Sequence, residues 1–177
     1  MDSIEIGDDG FVRLISTWLS AGTKLVPVKL SDLDSILLDS ERLLALATLQ
    51  PSRIEGPETR YVLPEPNAID PEASLDLSPI EFRGPIVARY ALPPGCRRFA
   101  AAATIPIGSR QWADFVLIVR SNDEEVFRAR MSGEQPHVEI NVPLSGVELT
   151  IELTEGAHGP IQDRLILEYP MLLLQND

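Results

Sequence analysis

The chain has 177 residues, 44% of them hydrophobic, and carries a net charge of −12 at pH 7. This length can bury a core in one large domain or in a small domain plus a medium one, and the hydrophobic fraction excludes general disorder. The acidity argues against nucleic-acid partners, because phosphate binding needs a basic face, and against adsorption on anionic membranes. The single cysteine, Cys96, excludes an internal disulfide and a cysteine-based metal cluster.

The N-terminal sequence MDSIEIGDDGF lacks the basic start and the apolar run of a signal peptide. No apolar stretch reaches the roughly 20 residues that cross a bilayer, so we predict no membrane insertion. If the natural protein is exported, we expect this chain to be a fragment of a larger one.

Residues 1–55 predict a small β-rich unit, in which apolar stretches such as FVRLISTWL and TKLVPVKL alternate with Asp-Gly and Ala-Gly turn signals. The leucines between residues 43 and 49 fit a short helix or a strand equally well. Residues 56–74 are rich in Pro, Glu and Asp and predict an extended connector. The sequence therefore predicts a domain boundary near residue 74.

Residues 75–177 predict strand after strand. In VELTIEL, from Val147 to Leu153, apolar residues alternate with Glu and Thr, a period of two that predicts one buried and one solvated face. The segment FVLIV, Phe115–Val119, is apolar on both faces, as is typical of a central strand. About eight strands at regular spacing predict an all-β fold, a jelly-roll-like antiparallel β-sandwich preceded by the small β-rich N-terminal unit.

Sequence signatures of catalysis are absent. The chain has no nucleophile elbow, phosphate-binding glycine loop, HExxH or CxxC pattern. Glycoside hydrolysis needs two carboxyl groups that face each other across the substrate, and no spacing in this sequence sets such a pair. Cys96 follows a Pro-Pro-Gly turn, which favours a small packed residue over a nucleophile. We therefore predict a protein that is not an enzyme and has no catalytic residue.

Candidate ligand-binding residues occur in the loop between the last two predicted strands, TEGAHGPIQD, and among the aromatic residues. Sugar-binding surfaces stack aromatic rings on pyranose faces and bond the hydroxyl groups with polar side chains. The candidates are Asp163, His158, Glu155, Trp112 and Tyr169. Ordinary alternatives are loop decoration for His158, core or rim packing for Trp112, and for Asp163 a turn held by amide hydrogen bonds from the same loop.

We predict no cofactor and no metal site. Calcium held by Glu155, Asp163 and loop carbonyls is an alternative, but the loop lacks the regular oxygen spacing of a calcium motif. Arg128 and Arg130 share one strand face and can grip an acidic ligand, although balancing nearby acidic residues is the more ordinary role for such a pair.

Three successive segments carry a family resemblance: RRFAAAATI, FVLIVRSNDEEVF and VEINVPLSGVELTIELTEGAHGPIQDRLILEY. Their order and spacing resemble the NPCBM family of carbohydrate-binding modules over about residues 75–175. Matching positions include Phe99, Asp123, Val126, Phe127, Gly146, Gly156, Gly159 and Asp163. The resemblance implies a jelly-roll β-sandwich that binds carbohydrate without catalysis through its rim loops. It also implies an extracytoplasmic or secreted protein whose partners are carbohydrate and other domains of a larger chain.

The chain departs from the family pattern after Asp163. Family members follow this Asp with His and, four positions on, with Trp, whereas this chain has Arg164 and Leu167. Two groups that could touch a sugar are thereby lost. This leaves open the alternative of a structural or protein–protein interaction module that kept the fold and lost the sugar site. Without a signal peptide in this sequence, a cytoplasmic location also stays open.

Overall fold

The computed structural model describes residues 3–6, 11–15, 28–29, 42–57, 65–157, 159 and 162–175. The chain forms two compact units, residues 1–39 and residues 40–177. The first unit contains a three-stranded antiparallel sheet of β1 (Ser3–Ile6), β2 (Phe11–Ile15) and β3 (Val28–Lys29), hydrogen-bonded in that order. The prediction of a small β-rich N-terminal unit is confirmed.

The second unit is a β-sandwich. In chain order its strands are β4 (Leu43–Ala45), β5 (Arg53–Glu55), β6 (Asn67–Ala68), β7 (Ile80–Arg83), β8 (Ile86–Ala91), β9 (Cys96–Thr104), β10 (Asp114–Ser121), β11 (Glu124–Ser132), β12 (His137–Pro143), β13 (Glu148–Leu153) and β14 (Arg164–Leu174). A five-stranded sheet has the order β11-β10-β13-β8-β5. A six-stranded sheet has the order β12-β9-β14-β7-β6, and in it β4 also pairs with β14.

All strand pairs of the sandwich are antiparallel, so the predicted all-β sandwich is confirmed. The helical structure in the described ranges consists of short 3-10 turns, at Leu46–Thr48, Ser74–Asp76 and Ile107–Ser109. None of these turns is long and apolar enough to cross a membrane.

Alternating side chains fill the space between the two sheets. In β13, Leu149, Ile151 and Leu153 are buried in this core, as their period of two predicts. The prediction is wrong at two positions: Val147 precedes the strand and is 75% exposed, and Thr150, on the face predicted to be solvated, is buried. Burial of a side chain of this size contributes roughly 1.5–3 kcal/mol. In β10, Val119 is buried in the core while Ile118, on the opposite face, is also buried. The prediction of a central strand that is apolar on both faces is therefore confirmed.

β14 is a central strand of the six-stranded sheet. It pairs with β9 along one side, and with β7 and then β4 along the other. A β-bulge between Glu168 and Met171 interrupts its register with β9. At this bulge Tyr169 has a left-handed backbone, with a φ of 49°.

β4 and β5 belong to the sandwich, although the sequence predicts both in the N-terminal unit. β4 pairs with β14, β5 pairs with β8, and Leu46 between them is fully buried in the core. The predicted domain limits at residues 55 and 74 stay predictions. The strand pairing raises a competing hypothesis, in which the limit lies near residue 39.

Four connections meet at one end of the sandwich, because the strand registers align their ends. Thr104, the last residue of β9, pairs with both His137 and Ile166, and Asp114 pairs with Ser132. We call this end the loop rim; it comprises residues 84–85, 105–113, 133–136 and the described part of 154–163. The other end, which we call the opposite rim, comprises residues 92–95, 122–123 and 144–147.

Candidate functional site

Asp163 joins three connections of the loop rim. Its side chain is 2% exposed, and its Oδ1 accepts a hydrogen bond from the backbone amide of Asp114 at 3.3 Å. Its carbonyl oxygen accepts a second one from the amide of Gly84 at 2.7 Å. The carboxylate of Asp163 accepts an amide hydrogen bond, as the alternative of a held turn expects. The amide, however, belongs to Asp114 in β10 and not to the β13–β14 loop. Asp163 supports the loop rim from below its surface.

A second buried carboxylate, Asp114, continues this connection. Its oxygens accept a two-pronged hydrogen bond from Arg130, at 2.9 Å from Nε and 3.1 Å from Nη2, and a further one from the amide of Ala157 at 3.1 Å. The hydrogen bonds with Asp114 raise the pKa of the Arg130 guanidinium. Asp114 therefore anchors the β13–β14 loop on the start of β10.

The β13–β14 loop approaches β10 so closely that only glycine fits at position 156. A Cβ there would lie 1.2 Å from the carbonyl oxygen of Asp114. The sequence pattern does not single out Asp114. Of the two roles that it leaves open for Arg130, the ion pair with Asp114 supports the balancing of a nearby acid. The available signal is the position of Asp114, an acidic residue directly before the apolar segment FVLIV.

A cleft of about 720 Å³ opens on the loop rim between the β9–β10 and β11–β12 connections. We call it the rim cleft. The two connections touch at its base, since a Cβ at Gly133 would lie 2.3 Å from the carbonyl oxygen of Arg110. The residues that line it are Arg110, Gln111, Ala113, Asp114, Arg130, Ser132, Gly133, Glu134 and Gln135.

The lining of the rim cleft is polar and has no net charge. Its two arginines, Arg110 and Arg130, are matched in number by Asp114 and Glu134; Arg130 pairs with Asp114, and Glu134 also acts on the charge of Arg130. Nε of Arg110 donates to the carbonyl of Ile105 at 3.2 Å. Its two terminal nitrogens make no hydrogen bond within the described ranges. Such a surface suits a ligand rich in hydroxyl groups.

Trp112 follows Gln111 and precedes Ala113, which both line the rim cleft, and is not itself one of the lining residues. The side chain is 46% exposed, as the predicted rim position requires. The carbonyl of Ser109 accepts hydrogen bonds from the amides of Trp112 and Ala113, at 3.2 and 3.0 Å. These two bonds support the backbone of the connection that carries the indole ring.

Two further residues predicted as ligand contacts, Glu155 and His158, belong to the segment between β13 and β14. Glu155 is exposed on the β13–β14 loop, where the amide of Gly159 donates to the carbonyl of Gly156 at 3.2 Å. His158 lies outside the described residues. In the described part of the chain, no three His, Cys, Asp or Glu side chains come together as metal ligands would.

Tyr169 does not join the other candidates. It is 50% exposed at the bulge of β14, six residues after Asp163. At about 3.3 Å per residue, that separation amounts to roughly 20 Å along the strand. The structure therefore brings Trp112, Glu155 and Asp163 to one rim and leaves Tyr169 on the strand.

Cys96 is the buried first residue of β9. Burial raises the pKa of its thiol. This agrees with the prediction of a small packed residue, because a nucleophile needs a lowered thiol pKa and solvent access.

No family model and no curated protein matches the chain. Solved structures do match. One contains the M60 catalytic domain with the CBM51-1 and CBM51-2 domains of Clostridium perfringens ZmpB; the TM-score is 0.61 at 12% identity, over 76% of this chain and 15% of that one. Another is CBM51 of Clostridium perfringens GH95 in complex with methyl-galactose, with a TM-score of 0.58 at 15% identity, over 73% of this chain and 99% of that one. The tandem CBM51 modules of Sp3GH98, the family 98 glycoside hydrolase of Streptococcus pneumoniae SP3-BS71, give 0.59 at 12% identity, over 93% and 54%.

At these identities the likeness is one of fold. The chain spans 15% of the ZmpB chain and about half of the Sp3GH98 chain. The structural neighbours of this β-sandwich are thus carbohydrate-binding modules, some of them within chains that also carry enzyme domains. The NPCBM resemblance itself stays a prediction.

Proposed function

We propose that the sandwich is a non-catalytic carbohydrate-binding module whose ligand enters the rim cleft. The observation that carries the proposal is a neutral, polar cleft of about 720 Å³ with a half-exposed tryptophan at its edge. Ligand sites have volumes of roughly 300–1,000 Å³ and combine aromatic surface with a few fixed polar groups. The likeness in fold to carbohydrate-binding modules supports the same reading.

Each residue has a defined role in the proposed site. Trp112 stacks its indole ring on the C–H face of a pyranose, a contact of about 0.5–1.5 kcal/mol beyond the area it buries. The terminal nitrogens of Arg110 and the amides of Gln111 and Gln135 bond the hydroxyl groups. Arg130 forms a fixed floor through its pairing with Asp114. A floor that is already ordered lowers the entropy cost of binding.

In the proposed site, the residues that the sequence singled out as ligand contacts have different roles. Glu155, which is exposed on the β13–β14 loop, contacts the outer part of the ligand, and the role of His158 as a sugar contact stays a prediction from the sequence. Asp163, which is buried, holds the connections in place without touching sugar. Tyr169 lies outside the proposed site.

The proposal of binding without catalysis is supported by how two buried carboxylates of the loop rim are used. Glycoside hydrolysis requires one acid that gives a proton and a second carboxylate across the substrate. Asp114 is engaged by Arg130 and by the amide of Ala157, and Asp163 by the amide of Asp114. On the family resemblance, we extend the proposal to an extracytoplasmic module of a larger protein, with its other domains as partners.

A glycan array with the whole chain, followed by calorimetric titration of the best ligand, tests the proposal. Trp112→Ala should lower the affinity about tenfold, which corresponds to about 1.4 kcal/mol. Tyr169→Asn is the matched control, because it removes an equally exposed ring and asparagine tolerates a left-handed backbone. The absence of binding to any glycan at millimolar concentration would contradict the proposal. So would a loss of binding in the control but not in Trp112→Ala.

One observation favours a second candidate, a structural or protein–protein interaction module. The outer face of the six-stranded sheet carries half-buried Ala100, Ala102 and Met171 beside the exposed ring of Tyr169. Asn141, Glu139 and Glu168 pair with these alanines on the same face, so the surface is a small apolar patch bordered by polar groups, which suits a protein partner. This candidate predicts no response to sugars and loss of a co-purifying partner in Tyr169→Asn.

A further inference from the structure

We propose that Ile107 forms a second subsite beside the rim cleft, so that the ligand is a neutral saccharide of at least two sugar units. This inference rests on the proposed function and deepens it. Ile107 is 82% exposed, more than any other large hydrophobic side chain among the described residues. A single exposed isoleucine needs no explanation; Ile107 differs through its position beside the cleft and through the support of its loop.

Ile107 lies directly beside the rim cleft. It begins the 3-10 turn Ile107–Ser109, and its carbonyl accepts a hydrogen bond from the amide of Arg110 at 3.4 Å. In 3-10 geometry, the side chains of residues three apart eclipse each other. This geometry places Ile107 next to Arg110, which lines the cleft. The exposed isoleucine is thus three residues from the polar lining, in the same connection.

The connection that carries Ile107 is fixed on both sides. Ser109 is 2% exposed, and its carbonyl accepts two amide hydrogen bonds from the following turn. On the other side, Ile105 is buried and its amide donates to the carbonyl of Pro136 at 2.8 Å. Ile107 is thus held in solvent by a supported loop, and a ligand that covers it need not order the loop first.

The rim cleft and Ile107 differ in chemistry, and together they match a short saccharide. The cleft offers hydrogen bonds without net charge, which suits the hydroxyl groups of one neutral sugar. Ile107 offers only apolar contact, which suits the C–H face of the next sugar along the chain. A cleft of about 720 Å³ also has more room than one six-membered ring fills.

Calorimetric titration with two matched saccharide series tests this subsite. The probes are methyl-galactose with lactose, and N-acetylglucosamine with chitobiose and chitotriose. In the series that binds, the longer member should bind at least about fivefold more tightly than the monosaccharide. Ile107→Ser should remove this gain and leave the affinity for the monosaccharide unchanged. Val147→Ser is the control, since Val147 is 75% exposed at the opposite rim, and it should change neither affinity.

The outcomes separate the subsite from the site itself. If Ile107→Ser keeps the preference for the longer saccharide, or weakens both members equally, the subsite is refuted and the proposed function stands. If the wild-type chain binds no member of either series and no glycan on the array, the proposed function fails, and the subsite with it. Both substitutions change exposed side chains, so equal thermal midpoints of the variants exclude misfolding as the cause.

Discussion

Replacing Gly156 with alanine tests how tightly the β13–β14 loop lies on β10. A Cβ at this position would lie 1.2 Å from the carbonyl oxygen of Asp114, so the loop must retreat by about 2 Å to reach an ordinary contact distance of about 3.5 Å. That movement breaks the hydrogen bond from the amide of Ala157 to the Asp114 carboxylate. A hydrogen bond to a charged group contributes about 1.5–3 kcal/mol, and we expect the free energy of unfolding to fall by roughly that amount.

Urea unfolding followed by tryptophan fluorescence measures this loss, because Trp112 lies in the neighbouring connection. In a thermal scan, the same loss lowers the midpoint of a domain of this size by roughly 3–12 °C. Gly108→Ala is the matched control: nothing lies within 4 Å of a Cβ at that position, so the variant should stay within about 0.5 kcal/mol of wild type. If Gly156→Ala is as stable as Gly108→Ala, the close approach of the loop to β10 is refuted.

Two further predictions concern pH and the domain boundary. Burial acts to raise the pKa of Glu81, but hydrogen bonds and charge from Arg83 and Arg164 outweigh it and leave the pKa below its ordinary value. A lowered folded pKa stabilises the protein above the ordinary pKa, and this contribution is lost as pH falls through the folded value. The Glu81→Gln variant should therefore be less stable than wild type at neutral pH and should lose less stability as the pH is lowered. Urea unfolding at a series of pH values measures both effects. If variant and wild type give the same stability at every pH, the lowered pKa of Glu81 is contradicted. A chain of residues 40–177 should unfold cooperatively when it is followed by circular dichroism. A chain of residues 75–177 should not, because it lacks β4 and β5. Cooperative unfolding of this shorter chain would support a boundary near residue 74.

The strands differ in how far local pattern predicts them. β13 is predictable because a strand that covers one side of a core needs apolar side chains on alternate positions only, and Leu149, Ile151 and Leu153 have that spacing. β4 is not predictable in this way. Its leucines suit a helix or a strand, and its partner strand β14 follows more than one hundred residues later. Pairing over that distance leaves no signal in the local sequence.

The sequence predicts the candidate site only where its residues lie within a single connection. The polar loop before Trp112 predicts a rim position, and Trp112 is half-exposed there. The rim cleft cannot be predicted from the sequence. Arg130 and Gln135 line the same cleft as Arg110 only because β10 and β11 pair in the observed register. Tyr169 is close to Asp163 in sequence, but an extended strand carries it away from the rim by about 3.3 Å per residue.

The position of β14 has a consequence for the order of events during synthesis. β14 joins β9 to β7 and β4, and it follows all three in the chain. The six-stranded sheet therefore cannot assemble while residues 164–174 are still inside the ribosome, and β7 and β9 wait with unpaired edges. Open strand edges invite association with other chains. A nascent chain that stalls before residue 164 therefore exposes strand edges that can pair with other chains, and one sheet of the sandwich forms only after β14 has been translated.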